Sequence, residues 1–329
     1  MKKINIIIIS VILLLGLGIG IYTISTKSPE DNRVVIYAGA EDIVIESLQR
    51  ELNKKFPKYD IVVEYMSSSN MATKINAEKT ETIIDIAYDL EYGSIGLLSD
   101  YLEDLEYDES KYMDDFITEN KKYVPVGVST MAIIYSPSRL AKKGLAIPKN
   151  YEDLLKPEYK NLIAMPNPGT TGSGYIFLKS LVNNMGEEKA YKYFDKLNNN
   201  LLEFTSSGMT PVSMLERKEI EIAMGLTSQA ARSITDGHDF EIVWFDEGSP
   251  YTFYVMSVIK GRMQRKAVRD VYEYIENTLN AKVNKECFIE SAYKVSDYKI
   301  PNYPDKVPYS NMSNYTFEEK ERLLNKWKY

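Results

Sequence analysis

The sequence predicts an α/β fold divided into two lobes. At 329 residues the chain is longer than one small core usually organises, so two domains are expected. From Arg33 onward, short β-rich runs alternate with amphipathic helical stripes, which is typical of open sheets with helices on both faces. The alternation restarts near Tyr123. This restart predicts a second sheet and therefore a second lobe.

The first round of the pattern reads strand, helix, strand, helix, strand. Apolar residues recur at spacings of three and four from Ile45 to Phe56, and Pro57 ends that helix. The predicted strands are residues 34–37, 61–63 and 83–87, and the second helix is residues 71–79. Such a βαβαβ order is that of a parallel sheet.

The second round follows from residue 123 and is less regular. Strands are predicted at residues 131–135, 162–165, 220–224, 242–245 and 251–260, and helices at 151–155, 175–184, 211–216, 267–279 and 317–327. The last of these is expected to be a closing helix at the C-terminus.

The N-terminus carries an export or anchoring segment. Lys2 and Lys3 precede an uncharged apolar run of 21 residues, 4–24. This reaches the ~20 residues that span a bilayer, whereas the apolar part of a signal peptide is usually about 7 to 15 residues. The cysteine of a lipoprotein signal is absent, since the one cysteine is Cys287. Residues 1–32 are therefore expected to anchor an N-terminus inside and a body outside the membrane.

Composition argues against several classes of protein. The net charge is −7 and the basic residues are scattered, so the chain offers no basic surface for nucleic acid. A single histidine, His238, and a single cysteine leave too few groups for the usual catalytic or metal sites. We expect a protein that binds rather than catalyses, as a monomer and without a cofactor.

Three predicted strand-to-helix corners are rich in Ser, Thr and Gly, at residues 67–70, 169–174 and 206–210. The first N–H groups of a helix have no intrahelical acceptor and carry the positive end of the helix dipole, so such corners suit phosphate, phosphonate or carboxylate. Each corner alone is equally well explained as an ordinary N-cap. The stretch 169–174 lacks the lysine of a nucleotide-binding P-loop and does not match the dinucleotide fingerprint.

Several stretches together resemble bacterial ABC-transporter substrate-binding proteins of the type II periplasmic-binding fold, in the branch with ferric-iron, sugar-phosphate and aminoethylphosphonate binders. They are residues 35–39, 67–79, 123–127, 133–136, 166–175, 206–208, 247–249 and 258–261. The resemblance implies two sheets joined by two crossover segments, near residues 127–135 and 248–254. It implies a first lobe of residues 33–129 plus 250–329 and a second lobe of residues 130–249.

The resemblance also implies partners and a location. The protein would be exported to the outer face of the cytoplasmic membrane or the periplasm, close a cleft around a small ligand, and deliver it to a permease with an ATPase subunit. Two other classes stay open: an enzyme on the same scaffold, and a tethered sensor that signals to another protein.

The ligand is expected to be a small organic anion, such as a phosphonate, an aminophosphonate or a phosphorylated small molecule. Ferric binders of the branch carry an adjacent tyrosine pair where this chain has residues 225–229 without tyrosine, so iron is the alternative. If iron were bound, Tyr88, Tyr251 and Tyr254 are the candidate ligands. Acids at strand ends could recognise an ammonium group or sugar hydroxyls on the same ligand. The full set of candidate binding residues is Ala40, Ser68, Ser69, Asn70, Asp89, Thr171, Gly172, Ser173, Ser207, Gly208, Thr227, Ser228, Asp246 and Glu247.

Overall fold

The computed structural model describes residues 32–117, 119–245, 247–296, 298–304 and 306–329. The anchor predicted at residues 1–32 therefore lies outside the described residues, apart from Asn32. Within the described part of the chain, every helix is too short or too polar to cross a membrane.

Helices and strands alternate along most of the described chain. The strands are β1 (Arg33–Ala38), β2 (Asp60–Tyr65), β3 (Ile86–Glu91), β4 (Val124–Tyr135), β5 (Ile163–Pro166), β6 (Leu201–Thr205), β7 (Ile222–Leu226), β8 (Glu241–Val243) and β9 (Tyr251–Val258). The α-helices are α1 (Asp42–Lys55), α2 (Ser68–Glu78), α3 (Ile95–Leu98), α4 (Pro137–Lys142), α5 (Gly172–Met185), α6 (Glu187–Leu197), α7 (Thr210–Glu216), α8 (Thr227–Thr235), α9 (Lys266–Tyr274), α10 (Asn280–Cys287) and α11 (Phe317–Leu324), and a π-helical turn (Ile275–Leu279) joins α9 to α10.

The strands form two sheets that share β4. The strand order is β2-β1-β3-β9-β4-β7-β5-β6, and β8 also pairs with β4. Strands β1, β2 and β3 are parallel, and β9 lies antiparallel to β3. The predicted two open sheets are therefore continuous through one strand. In β4, residues 124–130 pair with β9, and residues 131–135 pair with β7 and β8.

Two hydrophobic cores lie on either side of this shared strand. The first packs α1, α9 and α10 against β1, β3 and β9, with Val34, Leu48 and Val268 fully buried. Cys287 is buried in the same core. The second core packs α5 and α6 against β5 and β7. A smaller cluster on the other face of the second sheet includes Val212 of α7 and Ala230 of α8.

The C-terminal segment (Tyr309–Tyr329) passes back to the second core, although the sequence analysis groups it with the first lobe. Leu323 is fully buried there, and Trp327 packs against the same cluster. The hydroxyl of Tyr191 in α6 donates to the carbonyl of Leu323 at 2.6 Å. The chain thus crosses between the lobes a third time, in addition to β4 and the start of β9.

Some local predictions are wrong. The strand predicted at residues 83–87 is β3, which begins at Ile86, and Ile83 is 60% exposed. A 3₁₀ turn (Lys79–Glu81) precedes it. Asp85 bonds to Val35 of β1 twice, since its amide donates to the Val35 carbonyl and its carboxylate accepts from the Val35 amide, both at 2.9 Å. The helix predicted at residues 151–155 is a 3₁₀ turn.

Candidate functional site

A cleft of about 370 Å³ lies between the lobes, at the carboxyl ends of several strands. Open α/β sheets place their ligands at this edge. The cleft contains most of the predicted binding residues: Ala40, Ser68, Ser69, Asn70, Asp89, Thr171, Gly172, Ser173, Ser207, Gly208 and Ser228. All three corners rich in Ser, Thr and Gly therefore meet at one cavity, one from the first lobe and two from the second.

The first-lobe corner joins β2 to α2. Ser67 caps α2, since its hydroxyl accepts from the Asn70 amide at 3.4 Å. The Ser68 hydroxyl accepts from the Glu91 amide at 2.7 Å, which fixes the oxygen and leaves its proton to be donated into the cleft. The first amides of α2 have no acceptor within the helix. This corner thus offers hydroxyl and amide donors together.

The second corner joins β5 to α5 and divides its hydroxyls between two tasks. Thr171 caps α5: its hydroxyl accepts from the Gly174 amide at 3.0 Å and donates to the Asn167 carbonyl at 2.8 Å. Its proton is thereby used within the protein. Ser173, the second residue of the helix, is buried, and no described residue accepts from its hydroxyl. Ser173 is therefore the better donor to a ligand.

The third corner touches the second through a glycine. A Cβ atom added to Gly208 would lie 2.2 Å from the Ser173 hydroxyl oxygen, closer than any real contact. Glycine here lets the backbone of residues 206–210 approach the start of α5. The Ser207 hydroxyl accepts from the Met209 amide at 3.4 Å, so its proton is also available. Because α7 has only seven residues, this corner contributes individual donors more than a helix dipole.

Asp89 is the acid that enters the cleft from the first lobe, at the end of β3. Burial, and then the negative charge of Glu41, raise the pKa of Asp89 to about 7. Its backbone is left-handed, with φ 57°. A Cβ atom on Gly39 would lie 2.5 Å from the Asp89 carbonyl oxygen, so glycine is required beside it. Asp89 can accept a hydrogen bond from a ligand once it is ionised.

Glu41 also lines the cleft and pairs with Arg232 of α8. Burial raises the pKa of Glu41, against the opposing charge and hydrogen bond of Arg232. The Arg232 guanidinium also donates to the Cys287 carbonyl at 2.6 Å. Arg232 is thus occupied by protein acceptors.

Neutral groups supply the donors of the cleft. Among the described residues that line it, none is Lys, Arg or His. The apolar wall consists of Val44, Val128, Met209, Leu226 and Ile289. Such a cavity can hold a carbon skeleton on one side and an oxygen-rich group on the other.

Two of the predicted residues that the structure describes are not brought to the cleft. Thr227 is fully buried behind it, because it begins α8 with its hydroxyl donating to the Thr130 carbonyl at 2.9 Å. Glu247 lies outside the cleft lining, and its carbonyl accepts from the Asn184 side chain at 3.1 Å. Asp246 lies outside the described residues.

The three tyrosines of the iron alternative do not converge. Tyr88 is 1% exposed, and its hydroxyl donates to Asn280 at 2.7 Å within the first core. Tyr251 packs on Tyr309, with 4.4 Å between ring centroids. Tyr254 does line the cleft, but burial raises its pKa well above the usual value, which opposes formation of a phenolate ligand. Of the three tyrosines, Tyr254 alone belongs to the cleft lining.

Several residues that complete the cleft were not predicted from the sequence: Gly39, Glu41, Val44, Tyr65, Gly127, Val128, Ser129, Leu226 and Ile289. Glu41 could have been identified from the sequence, because it directly precedes a helix and follows the glycine at the end of a strand. Nothing in the sequence identifies Ile289 as a cleft residue, since its position depends on the fold of distant segments.

Comparisons with known proteins agree with this architecture. A protein family described as "Bacterial extracellular solute-binding protein" matches residues 56–315. An uncharacterized protein of Haemophilus influenzae is 25% identical over 277 residues, which cover 79% of this chain and 76% of that protein.

Solved structures share the fold over nearly the whole described chain. The periplasmic binding protein AfuA from Actinobacillus pleuropneumoniae, solved with fructose-6-phosphate, has a TM-score of 0.80 and 23% identity, covering 90% of this chain and 97% of AfuA. The periplasmic binding protein P5PA has a TM-score of 0.77 and 22% identity, with 90% and 98% covered. Iron-bound HitA from Pseudomonas aeruginosa has a TM-score of 0.72 and 14% identity, with 89% and 98% covered. Sequence identities of this size show a common two-lobed fold. The ligand of this chain must therefore be inferred from the residues of its own cleft.

Proposed function

We propose, from the premise that this chain belongs to the family of bacterial extracellular solute-binding proteins, that it clamps a small organic anion between its two lobes and delivers it to an ABC importer. The proposed ligand is a phosphonate, an aminophosphonate or a phosphorylated small molecule. The partners would be a permease and its ATPase. Proteins of this family bind solutes and are not enzymes.

The observation that carries this proposal is the meeting of three corners rich in hydroxyls and amides at one cleft. Helix α2 from the first lobe and helix α5 from the second both begin at this cavity. Two helix N-termini favour a negative group between them, and the hydroxyls of Ser68, Ser173 and Ser207 add donors. A tetrahedral oxyanion accepts hydrogen bonds on several sides, as this arrangement requires.

Asp89 adds a second requirement on the ligand. In its ionised form, Asp89, whose pKa is about 7, would repel a ligand that carried only negative charge. A ligand with an ammonium group or hydroxyls would instead donate to this carboxylate. Both an aminophosphonate and a sugar phosphate have such groups. The proposal therefore favours these two classes over inorganic phosphate.

A thermal-shift panel tests the ligand class. Phosphonates, aminophosphonates, phosphate esters, sugar phosphates, small carboxylates and ferric salts would each be added to the purified protein. At a concentration 100 times the dissociation constant, a ligand stabilises the folded state by about 2.7 kcal/mol, which raises the melting temperature by several degrees. We expect this shift with at least one organic phosphate or phosphonate and a smaller one with inorganic phosphate.

Iron is the alternative that this panel must exclude. Ferric iron prefers anionic oxygen ligands, and the separated tyrosines do not offer a cluster of phenolates. Stabilisation by ferric salt alone, together with a visible phenolate-to-iron absorption band, would overturn the organic-anion proposal.

The lobe limits and the location belong to the same proposal. Residues 33–129 with the strand from residue 250 would form the first lobe, and residues 130–249 the second, with the C-terminal segment docked on the latter. Residues 1–32 would tether a monomer to the outer face of the cytoplasmic membrane. Deletion of the gene should abolish uptake of the identified ligand, whereas a pure sensor would leave uptake unchanged.

A further inference from the structure

Two partly or fully buried ion pairs join the lobes beside the cleft. Glu41, at the start of α1, pairs with Arg232 of α8. Glu91, at the end of β3, pairs with Lys320 of α11, with 2.6 Å between Nζ and Oε2. In both pairs the glutamate belongs to an element of the first core, and the cation belongs to an element that packs with the second sheet.

The Glu91 pair lies directly under the ligand-binding corner of α5. Glu91 is 1% exposed, and its second oxygen accepts from the Tyr315 hydroxyl. A Cβ atom on Gly172 would lie 3.5 Å from the Glu91 carboxylate, so the two lobes are in contact here. The Lys320 ammonium also lies 5.2 Å from the ring centre of Tyr175. Opening of the cleft at this point must separate a buried carboxylate from both of its partners.

The C-terminal segment transmits this contact to the second lobe. Lys179 of α5, which is 2% exposed, pairs with Glu319 at 3.1 Å. Arg322 pairs with Glu187 of α6 at 2.8 Å, and Leu323 is buried in the second core. Lys320 is therefore held on the second lobe, and its bond to Glu91 spans the cleft.

We propose that the Glu41–Arg232 and Glu91–Lys320 pairs hold the cleft closed before any ligand arrives, with the C-terminal segment as the third connection between the lobes. Removing one partner leaves the other charge buried and uncompensated in the closed form, whereas water can solvate it in the open form. Loss of either pair therefore shifts the population toward the open form.

Pulsed EPR on the ligand-free full chain measures this population. Spin labels would be attached through Lys58→Cys on the first lobe and Lys160→Cys on the second, since both lysines are exposed. Cys287 is buried and does not compete for the label. The test variants are Glu91→Gln, Tyr315→Phe and the charge swap Glu91→Lys with Lys320→Glu. Lys192→Met is the matched control, because Lys192 forms an exposed pair with Glu188 within α6 and does not touch the C-terminal segment.

In the protein with both ion pairs intact, we expect mainly the short distance between the two spin labels, which corresponds to the closed form. Glu91→Gln should lower the ratio of closed to open forms by roughly tenfold, the charge swap should restore part of it, and Lys192→Met should leave it unchanged. A mainly long distance in the protein with intact pairs would overturn the proposal, as would equal ratios for Glu91→Gln and Lys192→Met. Circular dichroism identifies a variant that fails to fold. In that case Tyr315→Phe, which removes only a hydroxyl, replaces it, and its ratio of closed to open forms is compared with that of the control variant.

No ligand is added in this experiment. If no member of the thermal-shift panel binds, the organic-anion proposal is refuted. The interlobe distances still test the ion-pair proposal, because they are measured without ligand.

Discussion

Among individual residues, Ser173 and Thr171 lie two positions apart and should behave differently. The Ser173 hydroxyl has no described acceptor, so it can donate to the ligand, whereas the Thr171 hydroxyl is engaged on both sides within the protein. Ser173→Ala should weaken binding by about 1 to 3 kcal/mol with little change in the free energy of unfolding. Thr171→Ala should lower the stability by about 1 kcal/mol through loss of the helix cap. Calorimetric titration and urea denaturation measure the two quantities.

The test of ligand contact by Ser173 is the difference in ligand affinity between these two variants. If both alanine variants bind the ligand of the thermal-shift panel with unchanged affinity, both hydroxyls serve only the fold.

The carboxyl of Asp89 should make stability depend on pH. Its pKa in the folded protein is about 7, above the value of an unfolded aspartate, because of burial and the nearby Glu41. The folded state therefore binds the proton more tightly, and this contribution is present below about pH 4 and lost as the pH rises through 7. Asp89→Asn should remove it and raise the stability at pH 8 relative to the unsubstituted protein by roughly 1 to 3 kcal/mol.

Urea denaturation at pH 5 and pH 8, on both proteins without ligand, measures this difference. A stability gap between them that stays constant across the two pH values would show that Asp89 does not titrate in this range. Acids that do not interact with Asp89 contribute equally to both proteins and cancel in the comparison.

Among the elements, α11 should contribute to the stability of the second lobe. Leu323 is fully buried in the second core, so Leu323→Ala should lower the free energy of unfolding by about 2 to 4 kcal/mol. Arg322, on the same helix, has a side chain that is 46% exposed, and Arg322→Ala should lower it by less than about 1 kcal/mol. Thermal denaturation of both variants checks the order, and equal effects would contradict the packing of α11 on this core.

Sequence reasoning located elements whose pattern is local and missed those that depend on distant partners. The stripe from Ile45 to Phe56 and the cap residues Ser67 and Thr171 identify their helices directly. The docking of Leu323 on the second core has no local signal, since an apolar helix face fits either lobe. The prediction that Thr227 contacts the ligand was wrong for a related reason, because the direction of its hydroxyl depends on the neighbouring strand β4.

At the level of the whole molecule, ligand affinity should respond weakly to salt. Among the described residues that line the cleft, the donors are amides and hydroxyls rather than Lys or Arg. Enclosed interactions of this kind are screened less than exposed charge pairs. Raising sodium chloride from 50 to 500 mM should change the dissociation constant of a ligand found in the panel by less than about threefold. A tenfold or greater weakening in calorimetric titrations would indicate cations that act from outside the cleft lining.

The shared strand β4 has a mechanical consequence for unloading. One half of β4 pairs in the first sheet and the other half in the second, so a small rotation about its middle moves the two sets of donors apart as rigid groups. Each donor is fixed to the start of a helix and cannot follow the cargo. A permease that parts the lobes would therefore remove, in one movement, the hydrogen bonds that one lobe makes to the cargo.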